Sequence, residues 1–404
     1  MTPSPPRRPR VALYGHDTCG LGHLRRNLAL AAALRSGPAA PDVLVLTGSP
    51  AAQRFPAPAG VDTLVLPSVR KDADGGYAAG ALDVPLETVV GVRAATLTGA
   101  LTAWEPDLLV VDKVPRGFGG ELEAALGALR RTGRTRTVLG LRDVLDGPAA
   151  TRAQWRRDRG DEALDRWYDE VWVYGDPGVH DLRRDLALPP HLARRTRFTG
   201  YLAAGRGTGA PGAHLPAPRG PSTRTVLAAV GGGVDGAGLT RTLLATELPA
   251  RTRLVLLPGP FARPDVRAEL DRAAATRDDL DVVAFTDAFP DWAAQADAVV
   301  CMGGYNTVAE VLATGTPALV VPRCRPRREQ LVRARAMSRR GLLDHARDPG
   351  PADLARWIAR AVGGDLDHAG ARGRCDLDGL GAVQRLGREL LQTPTDPTEA
   401  RRAS

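Results

Sequence analysis

Short apolar runs alternate with helix-length amphipathic stretches along the whole chain. In the first half, the apolar runs fall at residues 11–14, 43–46, 108–111, 137–141 and 171–174. Each run is continuous rather than alternating with polar residues, which is typical of a parallel strand covered on both faces. Helices are predicted between some of these runs, at residues 24–34, 86–104 and 121–131. The alternation predicts an α/β fold with a doubly wound sheet.

The pattern breaks at residues 200–223, which are rich in Gly, Pro, Ala and Ser, as is typical of an interdomain linker. It then resumes, with strands predicted at residues 225–230, 253–257, 282–285, 298–301 and 318–321, and a helical pattern over 353–391. We therefore predict two domains, residues 1–200 and 224–392, with a flexible linker at 201–223 and a disordered tail at 393–404. The cleft between the domains is the expected ligand site, because both sheets can turn the carboxyl ends of their strands toward it.

The length of 404 residues suits two domains, and the 43% apolar and 25% charged residues are ordinary for a globular protein. No apolar run approaches the about 18 residues that suggest a membrane helix. The Pro- and Arg-rich start, residues 1–10, is not followed by the apolar segment of a signal peptide. The four cysteines show neither the spacing of a zinc site nor a disulfide framework. A cytoplasmic location is therefore expected.

The net charge of +8 is carried largely by arginines scattered as short pairs, such as Arg25-Arg26 and Arg183-Arg184. No long basic run is interleaved with aromatic residues, so nucleic acid is not an expected partner. A diffuse basic surface suits contact with an anionic membrane, here its inner face, or with phosphorylated substrates. The simpler alternative is a solvated, arginine-rich surface.

The clearest candidate ligand site follows the predicted strand at 298–301. Gly303 and Gly304 let the backbone approach a ligand, and the first N–H groups of a helix predicted over about 307–314 can hold a diphosphate. Thr307 can cap this helix or donate its hydroxyl to a phosphate oxygen. Glu310 lies on the same face and can accept hydrogen bonds from the vicinal hydroxyls of a ribose. The alternative is an ordinary strand-to-helix turn with a surface glutamate.

The loop after the first strand carries the candidate catalytic residues. Gly20 and Gly22 bring the backbone into the cleft, and His23 follows where a helix starts. His23 can take a proton from an acceptor hydroxyl or bind a diphosphate oxygen, and the sequence leaves this choice open. Asp17 is a candidate base or orienting partner of His23, with a plain turn residue as the alternative.

Two polar pairs, Asp112-Lys113 and Arg142-Asp143, end further strands of the first domain. Both are expected to face the cleft on the acceptor's side, with structural ion pairs as the alternative. In the second domain, the glycines of residues 231–236 have the spacing of a dinucleotide fingerprint. No acidic residue ends the following strand, so NAD binding is only weakly supported. A metal that binds a nucleotide diphosphate is commonly held by an Asp-x-Asp pair at the end of an apolar strand. No Asp-x-Asp pair of the chain has that position, so no metal is expected.

Residues 303–323, with 328–334 downstream, resemble the donor-binding signature of the MurG-like, family 28 type UDP-N-acetylglucosamine transferases. Residues 20–23 and 231–236 are similar to the glycine-rich loops of that family. The resemblance implies a GT-B fold, in which two Rossmann-like domains face each other across a cleft. Within the resemblance, the nearest group is one of uncharacterised bacterial glycosyltransferases, which does not reveal the acceptor.

Carried over by position, the resemblance implies that Glu310 binds the ribose and that Glu329 and Gln330 reach the transferred sugar. Glu329 departs from the family, which commonly has Gln there, so the identity of the sugar stays open. The implied donor-binding residues are Gly20, Gly22, Gly232, Gly233, Gly303, Gly304, Tyr305, Asn306, Thr307, Glu310, Arg328, Glu329 and Gln330.

The expected function is transfer of a hexose or N-acetylhexosamine from a nucleotide-diphosphate donor, UDP-linked, to an unidentified acceptor. We expect the reaction to need no metal or other cofactor and to invert the anomeric centre. The alternatives are a UDP-sugar 2-epimerase of the same fold and a non-catalytic nucleotide-sugar-binding protein. The sequence leaves the oligomeric state open.

Overall fold

The computed structural model describes residues 7–16, 22–37, 40–52, 55, 57–71, 76–206, 214–218, 223–232 and 235–392. Within these ranges the chain forms two fully parallel sheets and one short antiparallel hairpin. Successive residues of the first strand show why its apolar run is continuous. Val11 and Leu13 belong to the core on one face of the sheet, Ala12 and Tyr14 to the core on the other, and all four are fully buried. The predicted α/β class is confirmed.

The N-terminal part of the described chain contains nine strands: β1 Arg10–Gly15, β2 Asp42–Thr47, β3 Val61–Val65, β4 Val69–Lys71, β5 Tyr77–Ala79, β6 Leu108–Asp112, β7 Arg136–Arg142, β8 Glu170–Tyr174 and β9 Thr196–Phe198. Its parallel sheet has the order β3-β2-β1-β6-β7-β8-β9, and β4 pairs with β5 in the hairpin. Because β1 lies between β2 and β6, the loops that follow β1 and β6 are neighbours at the carboxyl edge of the sheet.

The described helices of this part are α1 Gly22–Arg35, α2 Leu86–Trp104, α3 Glu123–Thr132, α4 Pro148–Arg157, α5 Gly160–Trp167, α6 Leu182–Leu186 and α7 Pro190–Arg194. The helix predicted at 121–131 begins two residues later than expected. Glu121 precedes it as a buried carboxylate that binds Arg93 through two hydrogen bonds, of 2.5 and 2.7 Å. α3 then ends where Gly133 adopts a left-handed conformation, with a φ of 65°, and donates to two carbonyls of the last turn.

The C-terminal sheet consists of β10 Arg224–Ala229, β11 Thr252–Leu257, β12 Leu280–Val282, β13 Ala298–Cys301, β14 Ala318–Val320 and β15 Asp344–His345, in the order β12-β11-β10-β13-β14-β15. Its described helices are α8 Ala237–Leu244, α9 Pro264–Thr276, α10 Phe289–Gln295, α11 Tyr305–Thr314, α12 Glu329–Arg339, α13 Pro351–Gly363 and α14 Gly379–Gln392. The strand predicted at 282–285 is wrong in position. The sheet instead takes in Asp281, which Arg253 neutralises inside the fold at 3.0 Å.

Two contacts cross the predicted domain boundaries, which stay a prediction. The segment expected to open a flexible linker is buried at Tyr201, Leu202 and Ala203, and Leu202 forms a β-bridge with Asp378. Helix α14, predicted as part of the C-terminal domain, returns to pack on α1. A Cβ on Gly387 would lie 2.3 Å from the side chain of Leu34. The predicted tail at 393–404 lies outside the described residues. No helix among those described is long and apolar enough to cross a membrane.

Candidate active site

His23 stands at the start of α1, beside the end of the neighbouring strand β6. Its Nδ1 lies 2.7 Å from Oδ2 of Asp112, the last residue of that strand. The two predicted residues that precede it, Asp17 and Gly20, lie outside the described residues, whereas Gly22 begins the helix. Because β1 and β6 are neighbouring strands, Asp112 becomes the carboxylate partner of His23. The sequence predicts Asp112 on the acceptor's side, without this contact.

Asp112 is fully buried and also binds Arg26, whose Nε donates to Oδ1 at 3.3 Å and whose Nη2 contacts Oδ2. Burial alone would raise the pKa of Asp112, but Arg26 and His23 together lower that pKa well below its usual range. The carboxylate is therefore ionised at physiological pH. Arg26 Nη2 also lies 3.1 Å from Nδ1 of His23. Since the shorter contact of Nδ1 is with an ionised carboxylate, we assign the proton of the neutral imidazole to Nδ1, which gives Nε2 the lone pair.

A cluster of cations adjoins this pair. Lys113, mostly buried, and Arg142, at the end of β7, have no hydrogen bond or ion pair from their side chains to any other described residue. Burial and the nearby Arg142 hold the pKa of Lys113 well below its usual value, and burial with Arg26 and Arg333 lowers the pKa of Arg142 to about 10. Neighbouring cations thus lower the pKa of both Lys113 and Arg142 by repulsion, and an anion that binds beside them would stabilise the charged form of both.

His16, the last described residue before the loop, is buried against His23, with ring centroids 4.5 Å apart. Burial and the neighbouring His23 lower the pKa of His16 well below its usual value, so its imidazole is neutral. Its carbonyl accepts from Arg93, at 3.3 Å, and Arg93 is itself fixed by Glu121. A buried ion pair therefore supports the backbone just before the candidate catalytic loop.

The glycine turn after β13 has the backbone geometry that a close ligand approach requires. Gly303 has a φ of +84°, and a Cβ there would lie 2.6 Å from Val320, so no other residue fits without strain. Gly304 is the N-cap of α11, which begins at Tyr305. The helix therefore starts two residues before the predicted position, and Thr307 is not its cap. The alternative role of Thr307, donation of its hydroxyl to a phosphate oxygen, stays a prediction. The N–H groups of the first turn, including that of Thr307, have no partner within the helix and form a site of positive potential.

A cavity of about 290 Å³ joins this helix start to the N-terminal part of the chain. It reaches from Gly22 and Arg142 on one side to Gly232 and the start of α11 on the other. The residues that line it are Gly22, Arg25, Arg26, Arg142, Ala229, Gly231, Gly232, Leu257, Gly259, Pro260, Ala284, Phe285, Thr286, Phe289, Gly304, Tyr305, Asn306 and Thr307. Gly233 lies outside the described residues. Arg142, predicted on the acceptor's side, thus lines the same cavity as the turn at Gly304 that is the candidate site for the diphosphate.

Tyr305 and Asn306 tie the glycine turn to the other side of the cleft. Asn306 Nδ2 donates to the carbonyl of Gly22 at 3.0 Å, and the hydroxyl of Tyr305 accepts from the N–H of Leu202 at 3.2 Å. Burial raises the pKa of Tyr305 to about 12. Arg26 lies 5.8 Å from the centroid of the Tyr305 ring, in cation–π contact. These contacts position the loop; a direct role of Tyr305 in donor binding stays a prediction.

Glu310 projects from α11 one turn beyond the helix start and is almost fully buried. Its Oε1 accepts from Arg25 at 2.7 Å and from Arg206 at 3.1 Å. Its Oε2 is buried without a hydrogen-bond partner among the described residues, as is Oδ1 of Asn306. Asn306 lines the 290 Å³ cavity, whereas Glu310 lines a second cavity of about 780 Å³ between α1 and α14, and Arg25 borders both. Buried acceptors without partners are rare in folded proteins, so each of the two oxygens marks a place where a ligand can donate a hydrogen bond.

The start of α12 brings Arg328, Glu329 and Gln330 to the rim of the cleft. The N–H of Arg328 donates to Asp146 of the N-terminal part at 2.8 Å. Arg323 binds Glu329 Oε1 at 2.6 Å and donates its N–H to Gln330 at 2.9 Å. Glu329 Oε2 is a further buried acceptor without a partner in the described part of the chain. None of the three lines the 290 Å³ cavity, so their contact with a donor sugar stays a prediction.

Asp143 does not face the acceptor's side as expected. It forms a buried ion pair with Arg333 of α12, in which Arg333 Nη2 lies 2.6 Å from Oδ1. Arg333 also donates to the carbonyl of Gly303 at 3.1 Å. The structural ion-pair alternative is therefore the one that the structure supports for Asp143.

Sequence reasoning missed the arginines that organise the site, namely Arg25, Arg26, Arg206 and Arg333. Arg25 and Arg26 belong to the arginine pairs for which the sequence predicts only a diffuse basic surface, yet Arg26 is 2% exposed. One local signal could have identified Arg26: it lies three residues after His23 and therefore on the same face of α1. The partners of Arg206 and Arg333 are distant in sequence and left no local signal.

Comparisons with known proteins agree with this architecture. Residues 244–342 match the glycosyltransferase family 28 C-terminal domain. Two relatives are named UDP-N-acetylglucosamine–N-acetylmuramyl-(pentapeptide) pyrophosphoryl-undecaprenol N-acetylglucosamine transferase. The one from Alkalilimnicola ehrlichii is 32% identical over 263 residues, which are 60% of this chain and 65% of that protein. The one from Histophilus somni is 31% identical over 118 residues, 28% of this chain and 33% of that protein. The chain thus matches less than two thirds of the length of either relative.

Solved structures extend the likeness to almost the whole chain. The glycotransferase of kitacinnamycin superimposes with a TM-score of 0.62 at 18% identity, over 95% of this chain and 99% of that one. A putative UDP-N-acetylglucosamine 2-epimerase from Listeria monocytogenes also gives 0.62, at 15% identity, over 96% and 99% of the two chains. At these identities the likeness establishes the fold alone. The chain has the GT-B fold, resembles the MurG-like transferases, and matches the glycosyltransferase family 28 C-terminal domain over residues 244–342.

Proposed function

We propose that this protein is a glycosyltransferase that moves a hexose or N-acetylhexosamine from a UDP-linked donor to an acceptor hydroxyl. One observation carries the proposal: the cavity that contains the start of α11 lies between that helix and the residues around His23. A diphosphate bound at the helix start is then held by backbone N–H groups. The family 28 domain at 244–342 and the names of the relatives support the same reaction class.

In this proposal the first turn of α11 and Arg142 stabilise the charge that develops on the leaving diphosphate. Glu310 binds the ribose hydroxyls, and Glu329 and Gln330 bind the transferred sugar. His23, oriented by Asp112, takes the proton of the acceptor hydroxyl. The fixed cations and helix N–H groups neutralise the leaving group, so the proposed reaction proceeds without a metal, by a single displacement that inverts the anomeric centre.

The proposed partners are a nucleotide-sugar donor and an acceptor whose chemical class is left open. We place the enzyme in the cytoplasm, in transient contact with the anionic inner face of the membrane. The net charge of +8 supports that contact, since each basic residue near an anionic surface contributes about 1 kcal/mol of attraction. Nucleic acid is not among the proposed partners.

Thermal-shift titration tests the donor site. UDP, dTDP and GDP sugars are titrated separately, and a UDP-sugar is expected to raise the Tm most. A ligand at about 100 times its Kd stabilises a protein by about 2.7 kcal/mol. The shift should fall sharply in Glu310→Ala, which lacks the carboxylate that binds the ribose. Glu310→Ala removes both the counter-charge of the buried Arg206 and the side-chain packing, whereas Glu310→Gln removes the charge but keeps the side-chain shape. A thermal shift that falls in both variants therefore reports the missing carboxylate rather than poorer packing.

If no nucleotide sugar stabilises the wild type, the proposal fails. If UDP-N-acetylglucosamine is converted to its 2-epimer with no acceptor present, the protein is an epimerase of this fold instead. If the wild type binds a nucleotide sugar but neither hydrolyses nor transfers the sugar with any acceptor offered, the protein is a binding protein.

A further inference from the structure

The carboxylate assigned to the donor ribose is occupied in this structure by two arginines from outside α11. Arg25 of α1 and Arg206 both donate to the same oxygen, Oε1 of Glu310, while Oε2 has no partner among the described residues. The side chain of Glu310 is 2% exposed. A ribose diol can reach both oxygens only if one of the arginines withdraws.

The two arginines differ in their freedom to withdraw. The side chain of Arg206 is 4% exposed, and its Nε and Nη2 are buried without partners in the described part of the chain. Arg25 is 24% exposed and borders two cavities: the one of 290 Å³ at the start of α11, and another of about 780 Å³ between α1 and α14. Arg206 borders only the second. Arg25 therefore has room to move toward the helix start, and Arg206 does not.

We propose that Arg25 is a donor-binding residue that moves between two anions, Glu310 before the donor binds and the donor diphosphate in the complex. This inference rests on the proposed function. The two anions are close, because Glu310 lies about one helical turn, or about 5 Å, beyond the first N–H groups of α11. A long arginine side chain can cover that distance without any movement of the backbone of α1.

The exchange keeps every charge paired. When the ribose diol donates to Glu310, Arg206 remains as the counter-charge of the carboxylate. Arg25 then binds the diphosphate, which offers it charge-assisted hydrogen bonds in place of the one it gave up. A nucleoside has no phosphates, so it displaces Arg25 from Glu310 without providing another anion for Arg25 to bind. Arg25, which belongs to the N-terminal part of the chain, thus makes the C-terminal donor site selective for diphosphates.

Calorimetric titration of UDP and of uridine against the wild type and Arg25→Met tests this exchange. We expect the ratio of UDP affinity to uridine affinity to fall at least about tenfold in Arg25→Met, the effect of losing one charge-assisted hydrogen bond. Uridine itself should bind the variant as well as or better than it binds the wild type. Arg25→Lys keeps the charge and should restore part of the ratio.

Arg35→Met is the matched control, because Arg35 also belongs to α1 but pairs with Asp42, at 3.6 Å, away from both cavities. An unchanged ratio in a folded Arg25→Met, with UDP binding intact in the wild type, overturns the inference and leaves the proposed function standing. The titrations are repeated with dTDP and thymidine and with GDP and guanosine. If the wild type binds none of the three diphosphates, both the inference and the proposed function fall.

Discussion

Replacing His23 with alanine should lower kcat by about 10²- to 10⁴-fold, the usual contribution of a positioned general base. The expected KM for the nucleotide sugar is little changed, because the proposed donor contacts are made by α11, α12, Arg142 and Arg25 and none of them by His23. The physical reason is the contact of 2.7 Å between Nδ1 and the buried, ionised Asp112, which orients the imidazole. Steady-state kinetics, with the donor and the acceptor varied separately, supply the two constants.

The same measurement separates the two roles that the sequence leaves open for His23. If His23 binds the diphosphate, the main effect of His23→Ala is a higher donor KM, and His23→Gln restores it by supplying a hydrogen-bond donor. If His23 is the base, His23→Gln is as impaired as His23→Ala, and the acidic limb of the pH profile of kcat disappears. His191→Ala is the control, since His191 also pairs with an aspartate, Asp165, but half exposed at the surface. Wild-type turnover in His23→Ala would remove His23 from the mechanism.

The sequence predicted those parts of the site that depend on local pattern. Continuous apolar runs located nearly all the core strands, because a parallel strand buried on both faces has few polar positions. The Gly303-Gly304 turn was found because backbone geometry at a strand-to-helix turn restricts the residue type. The strand at 280–282 was misplaced because it contains a polar residue. Asp281 has the character of a surface residue, and only its ion pair with the distant Arg253 makes it compatible with the core.

Long-range partners were not predictable in this way. Asp143 was expected to face the cleft, and no periodicity in the sequence connects it with Arg333, which lies 190 residues away. The same holds for Glu310, which lies on the helix after the glycine turn as predicted but whose two arginine partners come from α1 and from the expected linker. Local pattern specifies which residues are buried, whereas the pairing of buried charges depends on how the two sheets meet.

Replacing Asp143 with asparagine should destabilise the protein by about 3–5 kcal/mol, because it leaves the buried guanidinium of Arg333 without a counter-charge. Each side chain of the pair is 1% exposed, and Nε and Nη2 of Arg333 make three contacts of 2.6–3.0 Å with the carboxylate. Urea unfolding measures the loss. The exposed pair of Arg241 and Glu269 is the control, and Glu269→Gln there should leave the unfolding midpoint unchanged.

The double variant Asp143→Asn with Arg333→Met shows whether the loss comes from the unpaired charge or from poorer packing. Without the guanidinium no charge is left unpaired, so the double variant should recover much of the stability lost in Asp143→Asn. Donor affinity should stay low in it, because Arg333 also donates to the carbonyl of Gly303, at 3.1 Å, and lies 5.5 Å from the ring centroid of Tyr305. If Asp143→Asn lowers the free energy of unfolding by less than about 1 kcal/mol, water solvates the guanidinium of Arg333. Recovery of both stability and donor affinity would contradict the role of this pair in holding the glycine turn.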